Sequence, residues 1–107
     1  MSVVSVYCVF ASVDEAERVG RSVVEDRLAA CINILAPCRS IYRWQGKIEE
    51  AEEVPAILKT RADLVDQLIE RITSLHSYDV PAIAAWPILK LPGSYADWVE
   101  AETRQNL

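Results

Sequence analysis

The side chains with the most chemistry in this chain are its one histidine, His76, and its three cysteines, Cys8, Cys31 and Cys38. A thiolate with an imidazole suits copper or zinc, so Cys8 and His76 are the candidate metal ligands. A single imidazole is too little for tight binding, and the cysteines show neither C-x-x-C nor any other zinc spacing. The competing reading puts His76 just after a helix, where its ring interacts with the free terminal carbonyls and the dipole. As a nucleophile and base, Cys8 and His76 lack a visible orienting residue. The odd cysteine count argues against a disulfide framework. Cys31 reads as a small core hydrophobe, and Cys38, after Pro37 at a strand break, as the most exposed of the three.

Oxygen chemistry is concentrated in Glu49, Glu50, Glu52 and Glu53. On an extended strand these side chains alternate between faces and form no single cage, so a solvated arm or a salt-bridged interface is expected of them. There is no nucleophile elbow, no zincin motif and, with three glycines in the chain, no phosphate-cradling loop. The residues point to a binding protein rather than an enzyme.

At 107 residues and 12.0 kDa, with 51% hydrophobic and 25% charged residues, the sequence predicts one domain over 1–107 with an adequate core. A formal charge of -5 and a pI near 4.8 disfavour nucleic acid and anionic membrane surfaces, which need clustered Lys and Arg. No apolar run reaches membrane-spanning length and the start, MSVVSVYCVF, has no basic region or cleavage site, so a cytoplasmic location is expected.

The elements that must position these residues follow from periodicity. Val3 to Phe10 is apolar in both alternating sets, which predicts a strand covered on both faces. Ser12-Val13-Asp14-Glu15 is a capping box, and Ala16, Val19, Gly20, Val23, Val24 and Leu28 carry a helix on to about Ala29. Cys31 to Leu35 is a second strand, interrupted at Ala36-Pro37-Cys38 and resumed into a long hairpin over Ser40 to Thr60 that turns at Gln45-Gly46. Pro55 predicts an irregularity in the returning strand. Thr60 to Asp63 can cap a second helix with an apolar stripe of Leu64, Val65, Leu68, Ile69, Ile72 and Leu75. Val80 to Trp86 reads as a further strand, and a short helix opens at Gly93-Ser94 with Tyr95, Trp98 and Val99 on one side. This order is the split βαβ arrangement of α+β ferredoxin-like folds, with two helices on one face of an antiparallel sheet. The other face and the overlong arm are expected to meet neighbouring subunits, as a dimer or a ring.

Five segments, taken in order, resemble one family. They are Arg27 to Ile34 (RLAACINI), Ser40 to Glu49 (SIYRWQGKIE), Leu58 to Thr60 (LKT), His76 to Pro81 (HSYDVP) and Tyr95-x-x-Trp98. Together they resemble the motifs of the CutA (CutA1) divalent-cation tolerance proteins over almost the whole chain. The resemblance implies a ferredoxin-like subunit in a tight homotrimer with exchanged hairpin arms, similar in general form to the PII signalling proteins. It also implies a role in copper tolerance or metal binding, with His76 in the region that holds metal, where threefold symmetry would bring several copies together.

The chain departs from that pattern at three places. By the resemblance, Phe10 stands where copper-holding relatives carry a cysteine, Leu75 where they carry a second histidine, and Ala82 where many carry glutamate. Cys8 shares a strand face with Phe10 but lies about 7 Å away, the rise over two residues. The resemblance further implies that Trp44, Lys59, Tyr78, Tyr95 and Trp98 converge near the cleft between subunits, where aromatics and one cation would suit a small anionic or planar ligand. Two functions are therefore expected of the chain. One is a cytoplasmic trimer binding copper or another divalent metal around His76, and the other is a PII-like regulatory or scaffold trimer that takes a ligand or partner in the cleft. Aromatic interface anchors with Lys59 paired to a hairpin glutamate are the structural alternative for the cleft.

Overall fold

The computed structural model describes residues 2–104. Along the chain lie β1 (Val3–Phe10), α1 (Val13–Glu25), β2 (Cys31–Ile34), β3 (Cys38–Trp44), β4 (Lys47–Arg61), a 3-10 turn (Ala62–Leu64), α2 (Val65–Leu75), β5 (Ile83–Pro87) and α3 (Gly93–Glu102). The sheet order is β2-β4-β1-β5, every pair antiparallel, with β3 paired to the outer part of β4. If β2 and β3 are taken as one interrupted strand, this is the ferredoxin-like α+β arrangement with a long hairpin and a C-terminal helix.

Register decides which side chains meet. Val6, Cys8 and Phe10 of β1 stand opposite Leu58, Ala56 and Val54 of β4, and these residues pack with Val19 and Val23 of α1 and Leu68 and Ile72 of α2. Tyr7 and Val9, opposite Ile57 and Pro55, project from the other face, as strand alternation requires. The hairpin turns on Gln45 (φ 49°) and Gly46 (φ 82°), the pair of positive values that matches strand twist in a two-residue loop.

Pro55 introduces no break in β4, which runs continuously from Lys47 to Arg61. Its carbonyl accepts from Leu35 N–H at 3.0 Å. Because N–H and C=O of one residue in an antiparallel strand point to the same side, the missing proline donor faces the gap between β2 and β3. The irregularity expected of Pro55 therefore falls on its partner strand.

Four boundaries differ from the sequence reading. The first helix ends at Glu25 rather than Ala29, since Arg27 takes φ 59° and the N–H groups of Leu28 and Ala29 both turn back to Val23 O. Thr60 stays in β4 and donates its hydroxyl to Leu28 O at 2.6 Å, so it caps nothing, and α2 starts through the 3-10 turn with no side-chain cap. The last strand begins at Ile83 rather than Val80, although Ala82 O still accepts from Val9 N–H at 3.2 Å, and it ends at Pro87.

Finally, the second sheet face is partly covered from within the subunit. Val99, Tyr95 and Ala96 of α3, with Leu91, pack on Val3 and Ala30. Two arginines hold the C-terminal end of α3. Arg27 Nη2 donates to Ala101 O (2.6 Å), and the buried Arg61, forked onto Asp63 (3.0 and 2.6 Å), donates Nη1 to Arg104 O (3.3 Å). Cations at these carbonyls oppose the negative end of the helix.

Gly20 sets how closely α1 approaches the sheet, since a Cβ there would lie 2.7 Å from Ile32 Cδ1 and 2.9 Å from Ile32 Cγ2. Gly20→Ala should lower stability by about 1–3 kcal/mol through overpacking, despite the better helix propensity of alanine. Urea unfolding of a double-mutant cycle with Ile32→Val should show the two changes to be coupled, with a smaller loss in the valine background.

Candidate functional site

The site begins at the N-terminus of α1. Ser12 Oγ accepts from Glu15 N–H at 3.1 Å, half of the expected capping box. Glu15 itself reaches one residue further back, so that Oε1 accepts from Ala11 N–H (3.0 Å) while Oε2 accepts from Ser77 N–H (2.9 Å). The carboxylate thereby joins the β1–α1 turn to the segment after α2. Burial alone would raise its pKa, but hydrogen bonds from Ser77 and Ala11 and the nearby His76 outweigh this and hold it below the ordinary value.

His76 ends α2, its own N–H returning to Ile72 O at 2.9 Å. Its ring does not turn to the helix carbonyls, as the structural reading of the sequence had it. It crosses to β1, where Nε2 lies 2.8 Å from Val9 O, and Nδ1 accepts from Tyr78 N–H at 3.0 Å. The neutral tautomer with its proton on Nε2 satisfies both contacts. The buried imidazole stacks on Phe10 (centroids 5.2 Å apart, planes 12°) and meets Tyr78 at 4.9 Å.

Cys8 is completely buried, with Sγ 3.9 Å from Val9 O. Burial, then the charge of Glu15, pushes its thiol up to about 12 despite the Val9 contact, so at neutral pH it is a thiol and not a thiolate ligand or nucleophile. Neither member of the expected Cys8–His76 pair thus presents a free donor atom in this arrangement. Among the described residues no group of three or more His, Cys, Asp or Glu side chains is placed to hold a metal ion. Cys31 and Cys38 are both half-buried, against Tyr95 Oη (3.7 Å) and Ser40 Oγ (3.9 Å).

On the opposite sheet face a cavity of about 630 Å³ lies between the hairpin and the segment that follows α2. Trp44 and Tyr78, expected in the cleft, both line it, together with Tyr42, Glu53 and Asp79. Tyr78 Oη donates to Glu53 Oε2 at 2.8 Å, and burial together with that carboxylate pushes the phenol up to about 12. Tyr95 and Trp98 lie elsewhere in the subunit, stacked on each other at 5.9 Å where α3 meets the sheet. Lys59 is at that end too, opposite Ser5 and Cys31 in register. Within one subunit, then, the five residues form two separate groups. The sequence reading missed Tyr42, Glu15 and the burial of Glu53. Alternation along the hairpin already put Ser40, Tyr42 and Trp44 on one face, and the capping box already fixed Glu15.

The model of the family described as CutA1 divalent ion tolerance protein matches residues 4–102. The chain belongs to the CutA1 family. It is 46% identical over 100 residues to the divalent-cation tolerance protein CutA of Pyrococcus horikoshii, covering 94% of this chain and 97% of that one. It is 35% identical over 99 residues to the chloroplastic protein CutA of Arabidopsis thaliana, covering 92% of this chain but spanning only 54% of that longer protein. The solved structure of the periplasmic divalent cation tolerance protein CutA from Archaeoglobus fulgidus superposes with a TM-score of 0.91 at 36% identity, covering 94% of this chain and 97% of that one. CutA1 proteins are named for tolerance of divalent ions and not for a reaction.

The depressed pKa of Glu15 fixes the sign of one pH effect. Its folded value lies below the 4.5 of a free glutamate, so the stabilisation it gives is complete above about pH 4.5 and is lost as pH falls through the folded value. Glu15→Gln should cost about 1–3 kcal/mol at pH 7, through loss of charge-assisted hydrogen bonds. Thermal unfolding followed from pH 7 to pH 3 should show that penalty shrinking as the wild type loses more stability than the variant.

Proposed function

We propose that the protein acts in divalent-cation tolerance as a cytoplasmic homotrimer that contacts copper or another divalent ion at modest affinity around His76. The match of residues 4–102 to the CutA1 family carries this reading. Modest affinity is the reading that fits the site, because an ion at Nδ1 has to displace Tyr78 N–H, an ion at Nε2 has to displace Val9 O, and Cys8 holds its proton. Self-assembly is supported by the hairpin arm, where Ile41 and Ile48 are 65% and 61% exposed in the isolated subunit. Apolar surface of that kind is normally covered. Cytoplasmic residence rests on the cysteines, all three of which are free, while the relatives named above include a chloroplastic and a periplasmic protein.

Light scattering on the purified protein should give three times the 12.0 kDa subunit mass, and a stable monomer at micromolar concentration would overturn the assembly. Copper retained after equilibration with Cu(I) or Cu(II) should fall in His76→Gln relative to wild type. Because that substitution also removes the bond to Val9 O, the ring resonances of His76 in the wild type should shift on copper addition. Equal copper in both proteins with an unmoved ring would sink the site.

A further inference from the structure

Glu15 does more than cap α1. It is only 7% exposed, and its carboxylate accepts from Ala11 N–H through Oε1 (3.0 Å) and from Ser77 N–H through Oε2 (2.9 Å). The Ser77 hydroxyl donates a further hydrogen bond to it. Arg18 stands 3.9 Å from Oε2 but is 60% exposed, so the backbone bonds and not this ion pair fix the carboxylate. The next amide along the chain, Tyr78 N–H, goes to Nδ1 of His76 at 3.0 Å. Consecutive amides are thus tied to Glu15 and to the imidazole, and His76 leaves α2 in an extended conformation (ψ 145°) that carries the chain past both. Each of these bonds joins groups of one subunit.

Tyr78 N–H guards both ring nitrogens. With Nε2 protonated towards Val9 O (2.8 Å), the lone pair is on Nδ1, and an ion there displaces Tyr78 N–H. An ion at Nε2 needs the proton moved to Nδ1, where it would face the same N–H. We propose that Glu15 is the positioning residue of His76: by holding the Ser77 amide it keeps Tyr78 N–H on Nδ1, and so sets how readily the imidazole gives a lone pair to a divalent ion. The role deepens the His76 reading proposed above and rests on it wherever an ion is concerned. Outer hydrogen bonds commonly orient a metal-binding imidazole, whereas here the outer contact covers it.

Nitrogen-15 resonances of the His76 ring and hydrogen exchange of the Tyr78 amide, both measured on the intact assembly, test the role. Glu15→Gln leaves one oxygen for two amides, and Ser77→Ala removes only the hydroxyl bond. Tyr78 amide exchange should rise about tenfold in the first and less in the second, on the scale of one weakened hydrogen bond. Nδ1 should move towards the resonance of a free lone pair while Nε2 stays in place. Gly20→Ala, which is destabilising through its contact with Ile32, should move neither nitrogen. Unchanged Tyr78 exchange in both variants would overturn the role, as would the two nitrogens shifting together or a like shift in Gly20→Ala, since these mark general loosening. Titration with Cu(II) reads the consequence, and affinity at His76 should rise about fivefold in Glu15→Gln, the scale of one released hydrogen bond. A ring that responds to copper with no gain in either variant also overturns the role. A ring that ignores copper in every protein sinks the metal reading instead, and the amide and ring results still decide what Glu15 does.

Discussion

A strand of fifteen residues carries a donor and an acceptor at every position but proline, and β4 meets that demand with three partners. Its outer part, Lys47 to Glu53, pairs with β3, and its inner part pairs with β1 on one side and β2 on the other. Pro55 sits where the partner changes, its absent donor turned to the gap. The register with β1 puts Val9 opposite Pro55 as a pair whose backbone groups point away from each other. Val9 therefore offers its N–H and carbonyl on the β5 side, where its N–H reaches Ala82 O and its carbonyl takes the His76 imidazole. On this account the histidine completes the sheet ladder at a point where β5 has not yet begun.

The segment after α2 directs its first backbone donors to side chains rather than to a strand. Ser77 N–H goes to Glu15 and Tyr78 N–H goes to His76, so two consecutive donors are spent on side chains. Tyr78 then spans the edge of the sheet, bonded through its backbone to the buried imidazole and through its hydroxyl to Glu53. The helix-covered face and the cavity face are joined through this one residue.

Most of the fold was legible from pattern. The hairpin could be read because a Gln-Gly turn is flanked by β-formers, and the helices because their apolar stripes repeat at 3.6 residues. The boundaries that moved are those where a side chain from a distant segment takes a backbone group, as Glu15 does at Ser77 across 62 positions. The site was legible only as residue types. Cys8 and His76 are correct metal-ligand chemistry by composition, but whether a thiol is ionised or an imidazole lone pair is free depends on burial and on partners that local periodicity does not encode. Glu53 shows the converse case, since alternation treats the four hairpin glutamates alike, and only the meeting with Tyr78, 25 residues away, sets this one apart.

Phe10 ties the family pattern to the geometry. By the sequence resemblance it stands where copper-holding relatives place a thiol, and here its ring lies nearly parallel to the imidazole at 5.2 Å. Such a stack fixes the plane of the imidazole, and within that plane the contacts of Nε2 with Val9 O and of Nδ1 with Tyr78 N–H set which nitrogen faces which partner. An aromatic ring at this position offers no metal donor of its own and packs flat on the imidazole. Any ion that uses His76 must therefore work against the ring stack and against the contacts to Val9 O and Tyr78 N–H.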